Sequence, residues 1–322
     1  MRLASIICTV VASALMTTAA MADDYPSRPI TFIVPFAAGG STDNNARVIA
    51  KTMSEKIGQQ VVVVNKPGAG TIVGAEFVVG SKPDGYTFFY GSNTNLVNYE
   101  YLYRKRSYDP KKDLLPFHGL LILPPTLVAR ADAPYKTLGE MIAYAKANPN
   151  KINIASAGQG SAPHLVAELL MSEAGIKMTH VPYKGSGPAI IDLLAGAVDV
   201  IFDFPVTLQG HIAAGKVRSL AVTGTQRLSS DPDVPTFAEL GLPGVTFGTW
   251  AVMALPAGTP QPIVDKLSDA FGKSLETAEV KKYFEDQGAT LIPYTKEKLA
   301  DFLTAERTKM KDIVERAGIQ PE

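Results

Sequence analysis

Apolar and polar positions along this chain switch repeatedly between a strand-like run and a helical spacing. Ile30–Phe36 is an apolar run of strand length. Ala46, Ile49, Ala50, Met53 and Ile57 then recur at helical spacing until Gly58, which predicts a helix ending there. Val61–Val64 is β-branched and predicts a strand covered on both faces. Ala75–Val79 suits a short helix, Pro83-Asp84-Gly85 a turn, and Thr87–Tyr90 another strand. The middle of the chain repeats this grammar. Helices are predicted at Leu138–Ala147, Leu165–Ala174, Ala189–Leu194 and Leu208–Ala214, and strands at Ile152–Ser156, Met178–Tyr183, Val198–Phe202 and Val217–Val222. Gly248–Leu255 adds a strand, and Ile263–Leu275, Val280–Gln287 and Lys296–Ala317 read as helices. Strands separated by helices predict an α/β fold with a mostly parallel sheet.

Within this pattern one phrase occurs twice. Ile30-Thr-Phe-Ile-Val-Pro-Phe-Ala-Ala-Gly-Gly-Ser-Thr-Asp43 and Ile152-Asn-Ile-Ala-Ser-Ala-Gly-Gln-Gly-Ser-Ala-Pro163 each read as strand, glycine turn, Ser or Thr cap, and helix. A helix start offers unpaired N–H groups and partial positive charge, so it attracts anions. Ser41 or Thr42 can cap the first helix, and Asp43 suits its first turn. Ser161 is the expected second cap, with Pro163 near the first helical position. His164 follows, either as a packing residue or as a ligand contact. A third turn, Tyr183-Lys-Gly-Ser-Gly-Pro188, repeats the design, and Lys184 can meet an anion as a point charge. Asp203 ends a strand, where open α/β sheets face their ligand crevice. It can orient a ligand or cap a loop. Together the turns suggest jaws closing on one anionic ligand.

Composition narrows the setting. Residues 1–22 read as a signal peptide: Arg2, an apolar run Ile6 to Ala20, and the small-residue site Ala20-Met21-Ala22. Cleavage after Ala22 leaves 300 of the 322 residues, a length that favours two domains. Pro124-Pro125 and the stretch 231–243 punctuate the chain near the expected crossings. These place one domain at 23–123 plus part of 245–322, and the other at 124–244. The final helix can pack on either. Cys8, the one cysteine, lies in the leader, so the mature chain has no disulfide or thiol chemistry. Removing Arg2 from the 31 basic residues leaves 30 against 31 acidic, a formal charge of −1. That balance gives no support to a nucleic-acid partner.

Other chemistries fit poorly. Gly68-Ala-Gly70-Thr-Ile-Val-Gly74 follows a strand, but its spacing is not the dinucleotide fingerprint, and no strand-ending acid lies about twenty positions on. An exported serine hydrolase would use Ser161 or Ser186, yet neither sits in G-x-S-x-G. His118, His164, His180 and His211 show no metal spacing, and nothing points to a cofactor.

Many short segments then add up to a familiar set. They begin with Tyr25-Pro-Ser-Arg-Pro-Ile30, Val34-Pro-Phe-Ala-Ala-Gly-Gly40, Asn65-Lys-Pro-Gly-Ala-Gly70 and Pro83-Asp-Gly-Tyr-Thr87. Tyr108-Asp-Pro-Lys-Lys-Asp113, Gly160-Ser-Ala-Pro-His-Leu165, Val181-Pro-Tyr-Lys-Gly185, Gly196-Ala-Val-Asp199, Pro235-Thr-Phe-Ala-Glu239 and Leu255-Pro-Ala-Gly-Thr-Pro260 follow. In this order the chain resembles the periplasmic solute-binding proteins of tripartite tricarboxylate transporters, the Bug family. The resemblance implies a two-domain Venus-flytrap (type II periplasmic-binding-protein) fold with a ligand cleft between the domains. It implies a monomer without enzymatic activity that captures a small carboxylate and hands it to a membrane permease. A periplasmic sensor partner of a membrane signalling protein is the competing non-enzymatic reading.

On this resemblance Phe36, Ala38, Gly39, Gly40, Ser41, Thr42 and Asp43 form one jaw. Ser156, Gly158, Gly160, Ser161 and His164 form the other, joined by Lys184, Gly185 and Asp203. Ser92 and Asn93 belong to the stretch 91–103 that can line the cleft. Asn65, Thr71 and Asn98-Tyr99 depart from the usual family pattern and leave the ligand's identity open. Micromolar binding needs ~8 kcal/mol. Two helix ends at roughly 0.3–2 kcal/mol each and four or five charge-assisted hydrogen bonds at ~1.5–3 kcal/mol each reach that scale without an arginine.

Overall fold

A computed structural model of the chain describes residues 25–228, 230–317 and 321. The leader expected at 1–22, with Cys8 and its cleavage point, lies outside the described residues. Two sheets organise the rest. The first contains β1 (Ile30–Val34), β2 (Val61–Asn65), β3 (Thr87–Ser92), β4 (Leu114–Leu123), β10 (Thr249–Pro256) and β11 (Thr290–Leu291), in the order β11-β4-β10-β3-β1-β2. The second contains β5 (Thr126–Arg130), β6 (Asn153–Ser156), β7 (Thr179–Pro182), β8 (Val200–Asp203) and β9 (Val217–Val222), in the order β7-β6-β8-β5-β9.

Helices cover both sheets. The first carries α1 (Ser41–Ile57), α2 (Ile72–Val79), the short α3 (Tyr99–Leu102), α8 (Gln261–Leu275), α9 (Ala278–Glu285) and α10 (Lys296–Ala317). The second carries α4 (Leu138–Ala147), α5 (Ala162–Ala174), α6 (Ser186–Ala195) and α7 (Pro205–Ala213). Helix α1 buries the expected Ala46, Ile49, Ala50, Met53 and Ile57, and Gly58 ends it in the left-handed conformation. That stripe meets Leu267 and Phe271 of α8 and Phe284 of α9 over one face of the first sheet.

Both sheets are mixed, which corrects the mostly parallel expectation. β1 pairs in parallel with β2 and β3, and β6 with β7 and β8. By contrast β10 runs antiparallel to β3 and β4, β11 to β4, and β5 to β8 and β9. β5 and β10, the strands on which the chain enters the second sheet and re-enters the first, are antiparallel to their neighbours, and β11 joins β10 in this direction. Hydrophobic periodicity carries no information about strand direction. A second correction concerns β2. It is an edge strand with Val62 39% exposed, so its valines reflect β-propensity rather than burial on both faces.

The chain leaves the first sheet through Pro124-Pro125 and returns between β9 and β10. Thr223 stitches the two crossings together. Its N–H donates to the Pro125 carbonyl (3.0 Å), its hydroxyl lies 2.8 Å from the Phe247 carbonyl and 3.0 Å from that of Pro125, and its own carbonyl accepts from Phe247 N–H. Helix α10 touches both halves. Leu299, Leu303 and Met310 pack with Trp250 on the first sheet, while Ile313 joins the core of the second.

The stitch gives a direct test. Thr223→Val leaves buried carbonyls without their hydroxyl partner and is expected to lower stability by about 1–3 kcal/mol. Thr223→Ser keeps the bond and is expected to lose far less. Urea unfolding of both variants measures the difference.

Candidate functional site

The turn after β1 is shaped from behind. Gly39 N–H donates to Asp43 Oδ2 (3.0 Å), which also accepts from Arg47 Nε (2.9 Å). Asn65 Nδ2 lies 2.9 Å from Asp43 Oδ1 and 3.0 Å from the Phe36 carbonyl. Burial alone would raise the Asp43 carboxyl, but these hydrogen bonds outweigh it and hold it below the usual carboxylate range. Asp43 therefore fastens its own turn and does not line the cleft. The expected cap is also corrected. Gly40 occupies the N-cap of α1 with no side-chain cap bond, and Ser41 and Thr42 line the cleft instead.

The turn after β6 has a comparable backing. Ser161 caps α5 as expected and accepts from His164 N–H (3.4 Å). His164 Nδ1 accepts from Gly160 N–H (3.1 Å), which places its ring proton on Nε2, 3.6 Å from Glu168. Its ring stacks on His180 with centroids 4.1 Å apart. His180 Nε2 lies 2.6 Å from Ser156 Oγ, and Ser156 Oγ accepts from Gly158 N–H (3.2 Å). Burial, followed by the neighbouring His164, pushes His180 down to about 4. Ser156, Gly158, Gly160 and His164 thus shape the second jaw from beneath it. The Ser156–His180 pair lines no part of the cleft.

The turn after β7 completes the arrangement. Ser186, at the start of α6, donates to Asp203 Oδ1 (2.9 Å), and Thr207 donates to Asp203 Oδ2 (3.0 Å). Burial pushes the Asp203 carboxyl up to about 6, against hydrogen bonds from Ser186, Thr207 and Phe204 N–H. Asp203 is fully buried and orients Ser186 rather than lining the cleft. Lys184 is corrected in kind. Its side chain is exposed, and its carbonyl is the group at work, accepting from Ala37 N–H (2.9 Å).

That bond joins the two halves, and missing side chains let the turns meet. A Cβ on Gly185 would stand 3.0 Å from Ala37 N, and one on Gly187 3.1 Å from the Ala38 carbonyl. Along the cleft, Asn98 Nδ2 donates to the Gly160 carbonyl (3.1 Å). A Cβ on Gly70 would stand 2.5 Å from the Gln159 carbonyl. The glycine turn first weighed as a nucleotide motif is therefore a contact between halves.

Between these contacts lies a cavity of about 590 Å³, its open mouth included. Of the expected residues, Phe36, Gly40, Ser41, Thr42, Ser92 and Ser161 line it. Ala38 and Gly39 are exposed at the rim, and Gly185 is buried against Ala37. Asn93 is buried next to Ser92 without lining the cavity, and its amide has no hydrogen bond among the described residues. Sequence reasoning missed the floor: Leu121 and Leu123 of β4 with Thr249 and Ala251 of β10. These four pair as Leu123↔Thr249 and Leu121↔Ala251. Period-two alternation puts them on one face, and the indole N–H of the intervening Trp250 donates to Glu306 (2.6 Å). Asn45, Tyr90, Thr94, Ser186, Phe204 and Trp250 are among the other residues that line it, with Ala157, Ala162 and Pro163 beside Ser161. Asn45, one turn beyond Ser41 and Thr42 on α1, was legible from helical spacing. No charged side chain lines the cavity.

The close contact between turns is testable. Gly187→Val is expected to leave the unliganded fold intact and weaken ligand binding at least tenfold, because its side chain meets the Ala38 carbonyl. Gly40→Ala is expected to bind normally, since its Cβ would sit at 3.4–3.5 Å from Gly187 and Ser186. Calorimetric titration of both variants distinguishes the cases.

Comparison with known proteins agrees with this architecture. Residues 45–319 match the tripartite tricarboxylate transporter family receptor model. The chain is 36% identical to BugT of Bordetella pertussis over 319 residues, covering 98% of each. It superimposes on the periplasmic binding protein BugD with TM-score 0.89 and 35% identity, covering 92% of this chain and 100% of that one. An R. palustris protein solved with adipate gives TM-score 0.89 and 32% identity, covering 93% and 100%. MatC from Rhodopseudomonas palustris, with bound malate, gives 0.85 and 35%, covering 90% and 100%. No helix among the described residues is long and apolar enough to cross a membrane. The chain belongs to the tripartite tricarboxylate transporter receptor family and has its two-domain periplasmic-binding-protein fold, with the ligand cleft between the domains.

Proposed function

We propose that this protein captures a small carboxylate in the cleft and delivers it to the membrane permease of a tripartite tricarboxylate-type transporter. One observation carries the reading. The starts of α1, α5 and α6 converge on a cavity lined by hydroxyl-bearing and apolar residues but by no charged side chain. Helix starts supply N–H donors and partial positive charge, which suits a carboxylate and requires no cation. Ser41, Thr42, Ser161 and Ser186 stand at those starts. Relatives of the same fold hold adipate and malate.

The remaining expectations fit this reading. Residues 23–123 with part of 245–322 form one domain, 124–244 the other, and α10 bridges them. Residues 1–22 direct export to the periplasm, where the mature chain works as a monomer. Catalysis is not part of the function. Ser161 Oγ accepts a backbone N–H, and Ser186 donates to a carboxylate. Neither has an imidazole partner among the described residues.

A thermal-shift screen of carboxylates is expected to find ligands that raise Tm by several degrees, whereas ester and peptide turnover stays at background in both the parent and Ser161→Ala. Robust turnover lost in Ser161→Ala would instead make the protein a hydrolase.

Asp203 adds a pH signature. A bound anion beside Ser186 disfavours the ionised form of a carboxyl that already titrates near 6. Binding therefore takes up protons around that pH, and affinity rises as pH falls from 7.5 to 5.5. Asp203→Asn is expected to abolish this dependence. Calorimetry in buffers of different ionisation enthalpy measures the uptake.

A further inference from the structure

A second cavity lies behind the ribbon that floors the cleft. Along β4 and β10, Leu121, Leu123, Thr249 and Ala251 face the cleft, while Ile122 and Gly248, which alternate with them, line the second cavity. Trp250 touches both cavities and is tied to Glu306 of α10. Pro124 of the outgoing crossing and both ends of the returning one, Thr223 and Phe247, also line this back cavity. It measures about 1070 Å³, its open mouth included. Thr225 and Gln226 of the second half stand on one side of it, with Thr290 of β11 and Lys309 of α10 on the other.

The two cavities therefore lie on opposite sides of the crossings, and a rotation about the crossings that narrows one widens the other. In this structure the cleft side is drawn together, by Ala37 N–H on the Lys184 carbonyl (2.9 Å) and Asn98 Nδ2 on the Gly160 carbonyl (3.1 Å). The back stands open except at one end, where Leu228 meets Gly288 so closely that a Cβ on Gly288 would stand 2.6 Å from Leu228 Cδ2. Opening the cleft about the crossings and this contact carries Thr225 towards Thr290 and α10.

We propose that the back cavity sets the balance between open and closed forms, so that an apolar body filling it holds the cleft closed and tightens ligand binding without touching the ligand. The inference rests on the carboxylate-binding reading for its affinity measurement alone. Apparent affinity is reduced in proportion to the fraction of protein in the binding-competent form. A wedge behind the crossings raises that fraction, because it obstructs the form in which the back walls approach.

Thr225 and Thr290 are exposed on opposite walls and accept a larger side chain into the cavity. Small-angle X-ray scattering of the unliganded protein reads the balance, with the radius of gyration of this structure as the closed reference. The parent is expected to exceed that value, Thr225→Trp to move towards it, and Thr225→Ala to match the parent. Calorimetry with a carboxylate found in the thermal-shift screen is expected to show at least threefold tighter binding to Thr225→Trp and unchanged binding to Thr225→Ala. Thr290→Trp places the same ring on the opposite wall and is expected to act alike, which separates a filled cavity from a local effect on one loop. An unliganded parent already at the closed value overturns the inference, because no open form is left to exclude. Parental scattering in both tryptophan variants, or weaker ligand binding by them, overturns it as well. If no carboxylate binds the parent, the carboxylate reading fails while scattering still decides this inference.

Discussion

The hydrogen bond from Ala37 N–H to the Lys184 carbonyl is the contact on which the site depends. It joins the turn after β1 to the turn after β7, bringing the starts of α1 and α6 together. Both partners are backbone, so the bond itself uses no jaw side chain. It also requires close approach of the two turns, which Gly185 and Gly187 permit by lacking a Cβ. A typical hydrogen bond contributes only about 0.5–1.5 kcal/mol net. A ligand gripped by both turns can therefore shift the balance between open and closed forms substantially.

The ionisable groups act at one remove from the ligand. Asp43 draws in Gly39 N–H, Arg47 and Asn65, fixing the turn that carries Ala37. Asp203 sets the Ser186 hydroxyl, and His164 holds Gly160 N–H. Each charge or ring sits behind its loop and dictates where the loop's donors point. Recognition then falls to N–H groups and small hydroxyls, whose positions are rigid because the buried groups behind them are hydrogen-bonded.

Much of the fold was legible because local signals and burial agreed. Leu138–Ala147, Val217–Val222 and Lys296–Ala317 have the bounds their patterns suggested, and Ser161 caps the helix it was expected to cap. The floor was not legible. β4 contains Pro116, His118 and Gly119, which erase its periodicity, and β5 is only five residues long. Thr249 and Leu123 become neighbours through antiparallel pairing of β10 with β4, which the whole second sheet separates in sequence, a relation that no local window contains. Lys184 and Asp43 carry the eye-catching charges. Their contributions are a carbonyl and a brace, because the chain turns those charges outward or inward. Sequence marks which turns matter more readily than which atoms of those turns do the work.

Amide hydrogen exchange with and without a bound carboxylate tests the central claim most directly. If one ligand is gripped by opposed turns, segments 36–43, 158–164 and 184–188 should gain protection together, with Ala37 slowing most because its N–H is the joining donor. Protection confined to one of these turns, with Ala37 unchanged at saturating ligand, would contradict the account.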